Sequence, residues 1–423
     1  MIKEEEYKKR RGALAKKLKK DSITVLFSAK SKQRSNDTEY PYRQNSNFYY
    51  MCGFKEDNAA LVIVKKKKQT KTYLFVQKKD ELLELWTGKR LGKKEAKEVF
   101  DVDTIFTTDT FEKKIVQWLK DKKYLYFDFS MQDERIDMLR KLSTHLSGHK
   151  NIAHKIGALR LYKSDGEIAL IKKALSITKE AHHLAMKKAK SLSDECELQA
   201  EIEYVFKKRG AYSDAYTSIV ACGNNANTLH YIKNDDKLQN NKLILIDAGC
   251  EYDYYASDIT RSIPVSGKFI KAQKELYSMI LSVEKEIISM VKPGLMRTAL
   301  QSKSEELLCK GLVALGILNG DVKKLIKKKK HKKYYPHGIG HWMGIDVHDE
   351  CPYKDKKANE IPLGEGMVMT IEPGIYIGEN DMSVPKRFRG IGIRIEDDIL
   401  VTKDGYENLS QGVFKEIKDI ESL

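Results

Sequence analysis

Carboxylates interrupt the apolar runs in the C-terminal half of this chain, at places where a strand core would exclude them. Asp247 ends the run Leu243-Ile244-Leu245-Ile246, Glu372 follows MVMTI, and Glu396 follows the alternating GIGIRI. Asp258 sits in ASDITRS, and His341 in HGIGHWMGIDVHD. A carboxylate in a buried strand needs a counter-ion, and several in one core repel one another while burial disfavours their ionisation. Divalent cations resolve both costs. An oxygen-rich set with a single nitrogen is what two hard-to-borderline ions such as Mn²⁺ accept. Two ions sharing carboxylates can make a hydroxide nucleophile at neutral pH and polarise a carbonyl. The chain therefore reads as a dinuclear metallohydrolase.

Each motif has a plainer reading. Asp247 at a strand end could cap a turn, although Ala248-Gly249 also lets the backbone approach closely. Asp258 is expected on a strand from Ser257 to Ile263, paired with the Asp247 strand as a hairpin, so both carboxylates face one side. A lone histidine is more often a satisfied core residue, but His337, His341 and His348 are three of the ten histidines and fall within twelve positions. The His337–His341 step lacks the glutamate of HExxH, because position 338 is glycine, so the site is not that of a zincin. Strand alternation puts Arg394 and Glu396 on one face. Alone, that is a surface ion pair; with the other motifs it becomes part of the site.

A chain of 423 residues is long for one core and implies two domains. Hydrophobic residues make up 41%, enough for cores despite a formal net charge of +17. The lysines are spread over the whole length, which fits a solvated surface better than a nucleic-acid footprint. The densest run, Lys323 to Lys333, reads as an exposed helix end or loop, with an anion-binding patch as the sharper alternative. None of the six cysteines forms a CxxC pair, which points away from zinc clusters and disulfides and towards a reducing compartment. No apolar run approaches a membrane span. The N-terminal segment has no signal-peptide core, and its three glutamates argue against a presequence. The expected location is the cytoplasm.

Strands at Ile23–Phe27, Ala60–Val64, Thr72–Val76 and Tyr124–Phe127 alternate with helices at Lys94–Phe100 and Glu112–Lys120, which predicts an α/β N-terminal domain over 1–157. The remainder, 158–423, is expected to be α+β. A capping box, Ser164 with Glu167, opens a long helix to about 189. A shorter helix at about 195–208 and the strands with Asp247 and Asp258 follow. Helices at about 271–291 and 297–315 then precede the strands with Glu372 and Glu396. The pattern is a coarse duplication, two helices and two carboxylates per half, meeting at a pseudo-twofold axis.

At these motifs the chain resembles the Xaa-Pro aminopeptidase (aminopeptidase P) family, of the pita-bread fold shared with prolidase and methionine aminopeptidase. NDTEYPYRQNSNFYYMCGF resembles the family's N-terminal domain. LHYIKND, LILIDAGCEYDYYASDITRSIPVSGKF, PHGIGHWMGIDVHD, IEPGIYI and RGIGIRIEDDILVT resemble its catalytic domain in order and spacing. The resemblance implies cleavage of the bond before a proline in second position, with two divalent ions, Mn²⁺ foremost, and proline-containing peptides as substrates. Asp247 is then a ligand of one metal, Asp258 and Glu396 bridge the pair, and His341 and Glu372 complete the coordination of the second metal. A bridging hydroxide attacks the carbonyl, Glu372 shuttles the proton, and His348 stabilises the oxyanion. His230 and His337 line the proline side. Arg394 and Tyr376 orient Asp247. Trp86, in ELWTGKRLG, lies in a segment that in the family projects into a neighbouring subunit's active site, which implies a homo-oligomer, dimer or tetramer. Two rivals share the fold. A prolidase would prefer dipeptides. A binding module that has lost catalysis would have lost ligands, and all five are present here.

Overall fold

The computed structural model describes residues 2–67 and 69–423. The chain divides into two compact units, Met1–Arg160 and Leu161–Leu423.

The first unit is built on one sheet of six strands. These are β1 (Ser22–Phe27), β2 (Ala60–Lys65), β3 (Thr70–Val76), β4 (Thr104–Thr107), β5 (Tyr124–Phe127) and β6 (Gly148–Asn151), in the order β4-β3-β2-β1-β5-β6. β1–β2 and β2–β3 are antiparallel, and the outer pairs are parallel. β1 is buried at every position because it lies inside the sheet with both faces covered. The helix Phe111–Leu119 buries Phe111, Ile115 and Leu119, one face at four-residue spacing. Phe111 packs edge-on against Phe75 of β3.

The second unit opens on α1 (Asp165–Lys188), whose capping box is complete: the Ser164 hydroxyl accepts from Glu167 N and the Glu167 carboxylate accepts from Ser164 N. α2 (Glu195–Lys208) packs on it. Then β7 (Ile219–Cys222), β8 (Leu243–Asp247) and β9 (Thr260–Pro264) form an antiparallel sheet in that order. The second half repeats the plan, with α3 (Lys271–Met290) against α4 (Arg297–Ala314) and, after them, α5 (Val322–Lys327). Its strands are β10 (Val368–Ile371), β11 (Gly374–Ile377), β12 (Ile391–Arg394), β13 (Asp397–Val401) and β14 (Tyr406–Asn408). They pair antiparallel as β10-β13-β14 and β11-β12. The two halves are stitched where β9 meets β12: the Ser262 hydroxyl accepts from Arg394 N and donates to Arg394 O, and Glu396 N donates to Thr260 O at 3.1 Å.

One expectation shifts. Asp258 was expected on a strand from Ser257, but the strand begins at Thr260. The backbone N–H of Asp258 is taken instead by the Asp398 carboxylate, at 3.0 Å, which pulls that residue off the ladder with β8. The lysine run is partly ordered by charge: Lys332 pairs with Glu305 at 2.7 Å and Lys333 with Asp381 at 2.6 Å, while the lysines from 327 to 330 are exposed.

Candidate metal centre

β8 carries Asp247 to the floor of a cavity of about 640 Å³. The apolar run before it is wholly buried between β7 and β9, so the strand can end on a charge only where the core opens. Gly249 then passes so close to Ser257 that a Cβ would lie 1.8 Å from its carbonyl oxygen. That close approach brings Asp258 back beside Asp247. The Tyr216 hydroxyl sits between them, 2.6 Å from an oxygen of each. A phenol has one proton for these two acceptors, so the pair needs a further proton or a cation.

The histidine segment reaches the same cavity by pairing along β10. Thr370 N donates to His341 O, Met343 N to Val368 O and Glu372 N to Ile339 O. Gly340 makes this possible, since a Cβ there would meet the Thr370 carbonyl oxygen at 1.9 Å. His341 Nδ1 lies 3.1 Å from Trp342 O, a bond that assigns the proton to Nδ1 and leaves Nε2 facing Asp258 at 3.3 Å. Glu372, in the break between β10 and β11, is 3.9 Å from the same nitrogen. Glu396, in the break between β12 and β13, accepts from the Thr260 hydroxyl at 2.6 Å.

All five candidate ligands line the one cavity. Ligand atoms of Asp258, His341 and Glu396 lie within 4.8 Å of one another. Burial and mutual repulsion push Glu396 well above the usual carboxylate range. Burial raises Glu372 to about 7, against the pull of His341 and Arg394. Burial also raises Asp247, though Arg394 opposes it. The set is acid-rich and short of positive charge, and its donors are oxygens with one available imidazole nitrogen. It fits divalent cations.

Arg394, His337, His348 and His230 line the same cavity, and Tyr376 is hydrogen-bonded to Arg394. Arg394 donates to the Asp247 carboxylate, to the Thr260 hydroxyl at 3.0 Å and to the Tyr376 hydroxyl at 2.9 Å. Tyr376 therefore reaches Asp247 only through Arg394. The Tyr376 hydroxyl is also 2.9 Å from His337 Nε2, while His337 Nδ1 faces Gly338 O at 2.7 Å. Burial and the nearby Arg394 charge hold His337 down to about 3, so it is a neutral imidazole. The His348 ring stacks on His341 with centroids 3.8 Å apart, and burial lowers its pKa too. His230 is exposed on the cavity wall. Trp86 belongs to the other unit, on a short helix, Glu81–Thr87, that buries none of its side chains; Trp86 is 88% exposed.

Sequence reading missed four residues around these candidate ligands. Tyr216 bridges two of them, Thr260 holds a third, Asp398 fixes the backbone of Asp258, and Arg261 donates to Glu396 O at 2.6 Å. Thr260 and Arg261 sit inside ASDITRS. Alternation from Asp258 would have placed Thr260 on its face, whereas Tyr216 lies in an unpatterned segment with no such signal.

Comparison with known proteins agrees with this geometry. Residues 169–403 match the model of metallopeptidase family M24, and residues 7–126 match the aminopeptidase P N-terminal domain. The chain is 39% identical to a Xaa-Pro aminopeptidase of Haemophilus influenzae, over 99% of this chain and 97% of the relative. A structure of Escherichia coli aminopeptidase P with the inhibitor Pro-Leu superposes with a TM-score of 0.94 at 38% identity, over 100% of this chain and 98% of that one. A zinc-substituted form of that enzyme, in complex with product, also gives 0.94, at 37% identity and the same coverage. The second unit thus has the pita-bread fold, and the chain is an enzyme. It belongs to metallopeptidase family M24 and, within it, to the Xaa-Pro aminopeptidases.

Proposed function

We propose that this enzyme removes the N-terminal residue from peptides whose second residue is proline, using two divalent ions held by Asp247, Asp258, His341, Glu372 and Glu396. The observation that carries the reading is the convergence of these five side chains on one cavity, with three donors already within 4.8 Å of one another. Ions bound there supply a Lewis acid for the scissile carbonyl and lower the pKa of water. The chain's own residues do the rest. Glu372, on the cavity wall, takes the proton from the attacking water and passes it to the proline nitrogen as the bond breaks. His348, a neutral imidazole on the cavity wall, donates to the developing oxyanion. Arg394 holds Asp247 in one orientation, and Tyr376 braces Arg394. His230 and His337 line the side that receives the proline ring.

Mn²⁺ is the proposed ion, because the set is dominated by oxygen. The zinc-substituted relative shows that the E. coli enzyme also accepts zinc. The enzyme is proposed to be cytoplasmic and a homo-oligomer, with Trp86 reaching a neighbouring cleft. Bare exposure of Leu82, Leu85 and Trp86 on one short helix supports a covering partner. The test is a Gly-Pro-Xaa tripeptide against Gly-Pro, with metal content measured on the same preparation. We expect two Mn²⁺ per active chain and faster release from the tripeptide. Preference for the dipeptide would make the enzyme a prolidase instead.

A further inference from the structure

The match to the peptidase family ends at residue 403. The tail beyond it nevertheless runs directly behind the metal centre. Asn408 Nδ2 donates to Asp397 at 2.7 Å, and the Ser410 hydroxyl accepts from Asp398 N at 2.8 Å. The carbonyls of Val413 and Phe414 accept from Arg261 at 3.1 and 3.0 Å. Lys415 Nζ bridges Asp397 and Glu284 of α3, 2.5 Å from each, and Lys415 O accepts from the Tyr277 hydroxyl. Arg261 completes the circuit. It pairs with Asp397 at 2.6 Å and donates to the carbonyl of Glu396 itself.

We propose that residues 408–415 are a positioning strap for Glu396, in which Lys415 acts through Asp397 and Arg261. Glu396 and Asp397 are consecutive, so their side chains leave the chain in opposite senses: Glu396 faces the cavity and Asp397 faces the strap. Fixing Asp397 from behind fixes the direction of Glu396 in front. Arg261, Asp397 and Glu284 are fully buried, so their polar groups have partners in one arrangement only. Without Lys415, Asp397 and Glu284 lose their shared donor, and Asp397 must turn towards water or towards Arg261 alone. Either motion rotates the peptide that carries Glu396. None of these strap residues touches the cavity; they are positioning residues.

The inference rests on Glu396 being a metal ligand, and the test separates the two claims. Mn²⁺ affinity is measured by competition with a fluorescent chelator, beside Tm of the metal-free protein, for Lys415→Met, Lys415→Arg, the double variant Lys415→Met/Glu284→Gln, exposed Lys418→Ala and Glu396→Gln. The double variant guards against misfolding, because it removes Lys415 together with the buried carboxyl group that would lose its donor. We expect Lys415→Met and the double variant to bind Mn²⁺ at least tenfold more weakly, in the range typical for outer-shell partners of metal ligands. Lys415→Arg should restore most of that loss, and Lys418→Ala should match the wild type. Tm of the double variant should recover towards the wild type while its affinity does not. Wild-type affinity in a folded double variant overturns the strap. Wild-type affinity in Glu396→Gln overturns the ligand assignment beneath it.

Discussion

Glu372 and His348 share a cavity wall but differ in what they lose on substitution. On the proposed roles, Glu372→Gln removes a ligand charge and the proton carrier, so metal occupancy and turnover should both fall. His348→Ala should keep its metal and lose roughly 10²-fold or more in kcat, since its contact forms in the transition state. Metal analysis beside steady-state kinetics distinguishes them, and equal metal loss in both variants contradicts the assignment. His341 gives the pH dependence. Burial works against its charged form, but the Asp258 hydrogen bond and charge outweigh burial and lift it from 6.5 to about 9. The metal-free fold therefore gains stability from this imidazolium in full below about pH 6.5, and loses it as pH rises through about 9. A metal ligand must be the neutral ring. Mn²⁺ affinity should rise across the same window, with proton release at pH 7. Calorimetry in buffers of different ionisation enthalpy reads this directly, and an affinity flat from pH 6.5 to 9 contradicts it. At this scale the sequence exposed the candidate ligands because charges in apolar runs are anomalous. It hid Tyr216 and Asp398, whose roles depend on partners 31 and 140 positions away.

Among the elements, the breaks between strands matter more than the strands. Glu372 and Glu396 each stand where one strand has ended and the next has not begun. Alternation correctly put Arg394 away from Ile393 and Ile395, but could not show that Glu396 is buried, because the covering element is β9, from the other half. The four long helices of the second unit were legible almost to the residue, and α1 carries its own capping box and apolar stripe. Asp258 was misplaced onto a strand because its backbone partner is a side chain, which periodicity does not encode. The pairing of the His341 segment along β10 makes its own prediction. Gly340→Ala forces a Cβ against the Thr370 carbonyl, so His341 must shift. We expect a fold retained by circular dichroism, lower Tm, and Mn²⁺ affinity reduced about tenfold or more. Unchanged affinity would mean that the close approach does not set the position of His341.

For the whole molecule, the duplicated plan of helices and strands was readable as a pattern, and its purpose, to bring carboxylates from distant segments to one cavity, follows from charge chemistry. Assembly is not readable from a single chain. Trp86 could have been a core residue, but its exposure leaves a large apolar ring without cover in this unit. Trp86→Ala should weaken binding of longer peptides and leave metal content unchanged. Sedimentation and kinetics at one dilution test the shared cleft, and a fully active monomer refutes it. The central claim, a metal-dependent Xaa-Pro aminopeptidase, meets its most direct test in a chelated preparation. Release of glycine from Gly-Pro-Xaa is followed before and after Mn²⁺ is returned. The account predicts no turnover in the metal-free enzyme and recovery that saturates at two ions per chain; full turnover without metal would contradict it.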